Sequence, residues 1–325
     1  MNLMAVSLHI HSAINIKIFC KERVMRRTIL VVVIVVLSSV EYVQATWAIF
    51  DKPEATYTRF TGIDGSNVVG WYGDAAGEHG LLYNGTDWTT YDQPGGDNTR
   101  IYDIDGSNLV GNDVSGSASH GFLYNGTDWT TLDKPGATKT SIFEISGSNL
   151  VGSYKDGTGD HGFLYDGTDW TTLDMPGASS PTYITGIEDS NIVGWYSDVF
   201  SSHGFLYNIT SDTWTTFDKP GADGTTIKGI DGSNLVGKYY DGTGEHGFLY
   251  DGTSWTTLDF PTTGNILITG IDGDNIVGRY VDDLGGVHGF IYTVPEPSTL
   301  LLLGLGVLMV RRKAKIFLKG TKNEN

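Results

Sequence analysis

A unit of about 41 residues, repeated six times between residues 47 and 292, constrains this chain more than any other feature. Trp47, Trp88, Trp129, Trp170, Trp214 and Trp255 each open a W-x-x-x-D stretch, and a Pro stands two residues after each Asp. An apolar stretch such as T-x-I-x-G-I follows, then N-x-V-G, then H-G-[FL]-[LI]-Y. Self-similarity at this period belongs to solenoids, propellers and arrays. It also restrains the functional reading, because a residue present six times is more easily explained as scaffold than as catalyst.

Each unit reads as four short strands. In the third copy they fall at 141–145, 149–154, 161–165 and 170–174. Asp-Gly and Asn-Gly dipeptides between them supply the positive φ of hairpin turns. The longest link, 133–140, contains Pro135, which cannot donate to a ladder, so pairing stops there. Four antiparallel strands per copy with one proline-bearing crossover is the pattern of a propeller blade. The expected fold is all-β, a six-bladed β-propeller with T-x-I-x-G-I innermost and the Trp strand outermost. It would be closed by pairing of the first outer strand, 47–51, with the last third strand, 288–292. An open β-repeat solenoid is the alternative.

The ends read as addresses. Lys21, Arg23, Arg26 and Arg27 precede the apolar run 29–37, and Val43-Gln44-Ala45 supplies a small-residue cleavage site before Thr46. That is the plan of a secretory signal peptide. The run is shorter than the roughly 20 apolar residues of a membrane span. The expected division is 1–45 for the extension and signal, 46–293 for the repeats and 294–325 for the tail. The one cysteine, Cys20, precedes the cut, so packing rather than disulfides must stabilise the exported repeats. Residues 46–294 hold 10 Lys and Arg against 34 Asp and Glu, a net charge of −24. Such a surface repels nucleic acid and excludes it as a partner.

The tail reads Val294-Pro295-Glu296-Pro297-Ser298-Thr299, then an apolar stretch 300–310, then Arg311-Arg312-Lys313. The segment is short for a permanent anchor and ends in a basic stop. It resembles the PEP-CTERM sorting signal of Gram-negative bacteria. That resemblance implies exosortase as a processing partner, transient membrane attachment through the C-terminus, and an exopolysaccharide-producing setting. The H-G-F-L-Y runs with G-x-N-x-V-G resemble the HAF-type extracellular repeat, with Gly where that family has Ala, and imply a surface location.

Candidate chemistry is weighed against this scaffold. His79, His120, His161, His203, His246 and His288 recur at equivalent positions, which a ring would spread apart rather than gather on one ion. They read as structural hydrogen-bonders, the six repeat tryptophans as packing between blades, and the repeat aspartates as caps of the following turn. The slot after N-x-V-G holds Trp71, Asn112, Ser153, Trp195, Lys238 and Arg279 while its neighbours hardly vary. This reads as an accessible position, with Trp71, Trp195, Lys238 and Arg279 as candidate ligand-binding residues and a tolerant solvent-facing position as the plainer account. Asp156, Asp160, Asp241 and Glu245 lie in Gly-rich loops of the kind that suit Ca2+, although their spacing matches no calcium loop. No other metal or cofactor is expected. The Asn84, Asn125 and Asn208 sequons read as hairpin turns. No asymmetric acidic cluster stands out. The expected role is therefore binding or structural, at the cell surface or in an extracellular matrix, with exopolysaccharide as the partner. A polysaccharide-acting enzyme with acids at the channel mouth is the alternative.

Overall fold

The computed structural model describes residues 45–179, 181–260 and 265–294, and every regular element in them is a β-strand. After β1 (Thr46–Phe50) come β2 (Tyr57–Asp64), β3 (Asn67–Gly73), β4 (Glu78–Tyr83) and β5 (Trp88–Tyr91), one antiparallel sheet in that order. Next are β6 (Thr99–Asp105), β7 (Asn108–Ser115), β8 (Ala118–Tyr124), β9 (Trp129–Thr131), β10 (Lys139–Ser146), β11 (Asn149–Lys155), β12 (Asp160–Tyr165) and β13 (Trp170–Leu173). These eight form one sheet, made of two four-strand meanders joined by a single parallel pair, Lys139 with Ser119. Two further four-stranded sheets follow. The first is β14 (Tyr183–Glu188), β15 (Asn191–Ser197), β16 (Ser202–Asn208) and β17 (Thr213–Thr216). The second is β18 (Gly224–Asp231), β19 (Asn234–Asp241), β20 (Gly244–Tyr250) and β21 (Trp255–Leu258).

The last three strands, β22 (Asn265–Asp272), β23 (Asn275–Val281) and β24 (Val287–Thr293), take β1 as their outer fourth. Trp47 lies opposite Tyr292 and Phe50 opposite Gly289. Residues from the two ends of the chain thus complete one sheet. The Thr269 hydroxyl also donates to the Phe60 carbonyl at 3.0 Å, fastening this sheet to the first. The fold is an all-β propeller-like array in which each sheet adjoins the next and the last adjoins the first.

The core lies between sheets. Phe60, Phe122, Phe163, Phe205, Phe248 and Phe290 are fully buried. Apolar clusters join residues of successive sheets, as where Val193 and Leu206 meet Ile227, Leu235 and Phe248, with Trp255 packed alongside. The other repeat tryptophans sit on such clusters too, at contacts such as Trp129 against Phe122, 5.0 Å between ring centroids. The strands appear where alternation and turn chemistry predict them.

The innermost strand of each sheet carries a register shift against the second, as between Phe60 and Gly62 or Ile101 and Asp103. Such a bulge bends the strand and re-aims one side chain. The shift explains the glycine of N-x-V-G. A Cβ on Gly70 would lie 1.9 Å from the Arg59 carbonyl oxygen, so only glycine lets the two strands close.

Candidate functional site

The inner strands surround a cavity of about 230 Å3, lined at its wall by Thr61, Tyr102, Phe143, Thr185 and Thr269 and at one end by acids. Its lining comes from β2, β6, β10, β14, β18 and β22, which places it on the axis of the ring.

At the acidic end the strands finish on Asp64, Asp105, Glu188, Asp231 and Asp272, with Ser146 in the third copy. All five carboxylates cross to the next turn. Asp272 accepts from the Gly65 N–H at 2.7 Å, Asp64 from Gly106 at 2.7 Å, Asp105 from Gly147 at 2.8 Å and Asp231 from Gly273 at 2.7 Å. Glu188 accepts from Gly232 in the same way. Thr61 and Thr185 reinforce two seams by donating to the Ile101 and Ile227 carbonyls at 2.9 and 2.8 Å.

Two acids break the pattern. Where four copies have glycine at the fifth position of T-x-I-x-G-I, the second has Asp103 and the third Glu144. Asp103 accepts from the Ile145 N–H at 3.0 Å, and Glu144 bonds the Ile187 N–H. Each therefore fastens its own meander to the following one, and Glu144 spans the seam that Ser146 is too short to bridge. Glycines opposite make the room: a Cβ on Gly62 would lie 2.5 Å from Asp103 Oδ1, and one on Gly186 3.0 Å from Glu144 Oε2. Burial pushes the Asp103 carboxyl up to about 7, against the pull of the Ile145 and Ile104 N–H groups. Burial, then the charge of Asp103, pushes Glu144 well above the usual carboxylate range. The expectation that no asymmetric acidic cluster exists is corrected here. The signal was legible as an acid standing in a glycine column.

The opposite end of the same strands is cationic and aromatic. The slot residues lie directly across from inner-strand residues: Trp71 from Arg59, Asn112 from Arg100, Trp195 from Tyr183, Lys238 from Thr226 and Arg279 from Leu267. Trp71 is only 8% exposed and Asn112 is buried, while Ser153, Trp195, Lys238 and Arg279 are half-buried. The accessible slot expected from the sequence is thus corrected, because it faces inward against its neighbours. Trp71 meets Tyr102 edge-on at 5.3 Å, and Tyr102 meets Phe143 at 5.2 Å, an aromatic wall leading into the cavity. The guanidinium groups of Arg59 and Arg100 lie 5.5 and 5.9 Å from the Trp71 ring. Trp195 stacks on Tyr183 at 4.2 Å, with Lys228 Nζ 5.5 Å from its ring. Arg100 pairs with Glu78, and Lys238 with Glu245 at 2.9 Å. Burial pushes the Lys228 amine down to about 8, helped by the Lys238 charge, and burial with the Arg59 charge lowers Arg279.

The six histidines are accounted for in the outer half of the sheets. Nδ1 of His120, His161 and His203 lies 2.7 Å from the Asp of W-x-x-x-D, and His288 reaches Asp51 at 2.9 Å. The two repeat motifs are therefore halves of one interaction, which reading them separately missed. The Asp218 hydrogen bond raises the pKa of His203, and at His288 burial, which pulls the pKa down, is overcome by the bonds and charges of Asp51 and Asp282 together. Tyr154 stacks on His161 at 5.1 Å, with Lys134 Nζ 4.5 Å from the Tyr154 ring on the strand bundle's flank.

The calcium candidates do not converge. Asp156 and Asp241 each accept from backbone N–H groups two residues on and approach His161 and His246. Asp160 pairs with Lys155 at 3.5 Å, and Glu245 with Lys238. Among the described residues no group of three or more such side chains is placed to hold a metal. Asn84 and Asn125 accept from the N–H groups that follow them, as hairpin-turn residues do. Ala45 and Thr46 are exposed at the start of β1, and Thr46 lies opposite Thr293. Pro295, Glu296, Pro297, Arg311, Arg312 and Lys313 fall outside the described residues.

Fold and tail together define an exported protein with a propeller-like all-β domain. Residues 293–313 match the PEP-CTERM protein-sorting motif, which implies exosortase-mediated processing of the tail. No curated protein matches the chain. Solved structures similar to it include virginiamycin B lyase from Staphylococcus aureus, 14% identical over 77% of this chain and 100% of that one, with a TM-score of 0.44. The β-propeller domain of the Trilobed protease from Pyrococcus furiosus is 7% identical over 78% and 94%, with a TM-score of 0.45. TolB from Acinetobacter baumannii is 9% identical over 67% and 60%, with a TM-score of 0.46. The fold assignment rests on the strand pairing.

Proposed function

We propose that this exported protein is a closed propeller of six blades that binds an extracellular glycan at the cell surface or in a matrix without turning it over. The count of six takes the eight-stranded sheet as two blades, since one residue pair joins its halves. Apolar clusters and polar clasps at each blade-to-blade seam support it. The likeness of the repeats to the HAF-type extracellular repeat supports a surface location, with membrane attachment through the tail before processing. Exopolysaccharide is the partner that fits the sorting tail.

One observation carries the binding role: departures from the repeat gather at the start of the inner strands and in the slot beside them. Trp71, Trp195, Lys238 and Arg279 sit there with Arg59 and Arg100, and Lys228 reaches toward them from mid-strand, its Nζ 5.5 Å from the Trp195 ring. Aromatic faces and arginines are the groups that commonly anchor ligands. The test is a glycan array probed with the full chain, with turnover measured on the same sugars. Retention without product is expected, and silence across the array overturns the reading.

A second reading, a polysaccharide-acting enzyme, is favoured by Asp103 and Glu144 alone, two acids on the cavity wall whose pKa values burial raises. Product release that disappears in Asp103→Asn and Glu144→Gln would establish it in place of pure binding.

A further inference from the structure

The basic groups of this acidic protein are unevenly placed. Of the 10 Lys and Arg between residues 46 and 294, four gather at one end of the inner strands, Arg59, Arg100, Lys238 and Arg279, and Lys228, midway along β18, lies close enough to feel the Lys238 charge. They come from neighbouring sheets in one continuous arc, β18–β19, then β22–β23, then β2, then β6. Only two of them have a carboxylate partner, Arg100 with Glu78 and Lys238 with Glu245. Among the described residues Arg59, Lys228 and Arg279 form no salt bridge, although each is half-buried.

Five cations meet only two carboxylates here, with Arg59 near Glu78 and Lys228 near Glu245 but neither in a salt bridge. Such an excess of positive charge partly out of water costs free energy in the free protein. Lys228 and Arg279 register that cost as lowered pKa values. Polar atoms beside them are also unsatisfied: Arg59 Nε and Trp71 Nε1 are buried with no hydrogen-bond partner, and Trp71 is only 8% exposed. An anion bound here would supply the missing acceptor and the missing charge together. Trp71, edge-on to Tyr102, and Trp195, stacked on Tyr183, flank the cations. The remaining surface is acidic and repels an extended polyanion, so the fit is to one charged residue entering among neutral ones.

We infer that the cationic end of the channel binds a carboxylate-bearing sugar residue, its carboxylate between Arg59 and Arg279. This rests on the glycan-binding reading and narrows it to acidic sugars. Arg59 and Arg279 supply charge-assisted hydrogen bonds to the carboxylate, and Trp71 Nε1 donates to a hydroxyl or ring oxygen.

The test uses the full chain with oligogalacturonate, oligomannuronate and sialyllactose, each against its own methyl ester, which keeps the ring and removes the charge. At least one acid form should bind about tenfold or more tightly than its ester. Arg59→Gln and Arg279→Gln should each lose that preference while their melting temperatures hold or rise, because an unpaired cation has been removed. Equal binding of acid and ester, or a marked fall in melting temperature for both variants, overturns the inference. Glycan binding on the array would then still stand, on neutral sugars. Preference for single-stranded DNA over every sugar would assign the cluster to phosphate and overturns it as well.

Discussion

The two ends of the inner strands are built from one repeated segment, yet they hold their charges in opposite ways. At the acidic end Asp64, Asp105, Glu188, Asp231 and Asp272 each accept from a backbone N–H of the next turn. At the cationic end five basic groups share two carboxylates, and Arg59, Lys228 and Arg279 form no salt bridge among the described residues. Charge that is consumed in hydrogen bonds between neighbouring sheets fastens the ring. Charge left over at the cationic end is what the proposed acidic ligand would neutralise. The acid pair Asp103 and Glu144, which looks at first like the functional novelty, belongs with the fasteners because both groups bond the backbone of the following meander.

That division can be broken most severely at the seam where the chain ends meet. Deleting residues 46–53 removes β1 and exposes the edge of β24, leaving the inner clasps Asp272 to Gly65 and Thr269 to Phe60 to hold the ring alone. Aggregation on size-exclusion chromatography is expected, as for any bare edge strand. A monomer with unchanged melting would show that the inner clasps suffice.

A smaller effect is expected at the acidic end itself. Gly62→Ala places a methyl 2.5 Å from Asp103 Oδ1 and 2.8 Å from the Tyr102 carbonyl oxygen, so the two strands must separate. A loss of about 1–3 kcal/mol in denaturant melts is expected from such overpacking. No loss would mean that the Asp103 clasp is dispensable.

The pH dependence sharpens the contrast further. Asp103 titrates near 7 in the fold and near 4 in an unfolded chain, so between those values the native state binds more protons. The stability that Asp103 contributes should therefore be fullest below about pH 4 and fall by roughly 1–2 kcal/mol as pH rises to about 7, a figure reduced because the channel leaves the group partly accessible. Asp103→Asn keeps an acceptor for Ile145 and should flatten this part of the profile. An unchanged slope in urea melts across the window would assign the effect elsewhere.

The smallest change is expected at the cationic end. Arg279→Gln breaks no ion pair among the described residues and should alter stability by within about 0.5 kcal/mol. A loss as large as that of Gly62→Ala would erase the distinction between the two ends.

Much of this was legible in the sequence for a definite reason. Turn dipeptides, alternation and the proline-bearing links act locally, so the strands of the third copy could be placed to within about two residues, as β10 to β13 bear out. The pairing of 47–51 with 288–292 was legible too, since only those strands lacked mates within their own copy. The site was less so. Trp71 looked free because its column varies, but variation there reflects different neighbours on adjoining sheets rather than solvent. Asp103 and Glu144 were passed over because a column of six is read through its majority, and the departures carry the information.

By itself the sequence determined the strand pattern, the repeat register, the C-terminal sorting motif and the acidic balance, all of which follow from local chain chemistry and composition. Only the tertiary structure decided which charges meet. The ring brings residues about 42 positions apart, such as Asp64 and Gly106, into hydrogen-bond contact. It also sets Arg59 beside Arg279, with 219 residues between them. Whether a charge is satisfied depends on what the next sheet presents across a few ångströms, and no spacing along a single strand encodes that.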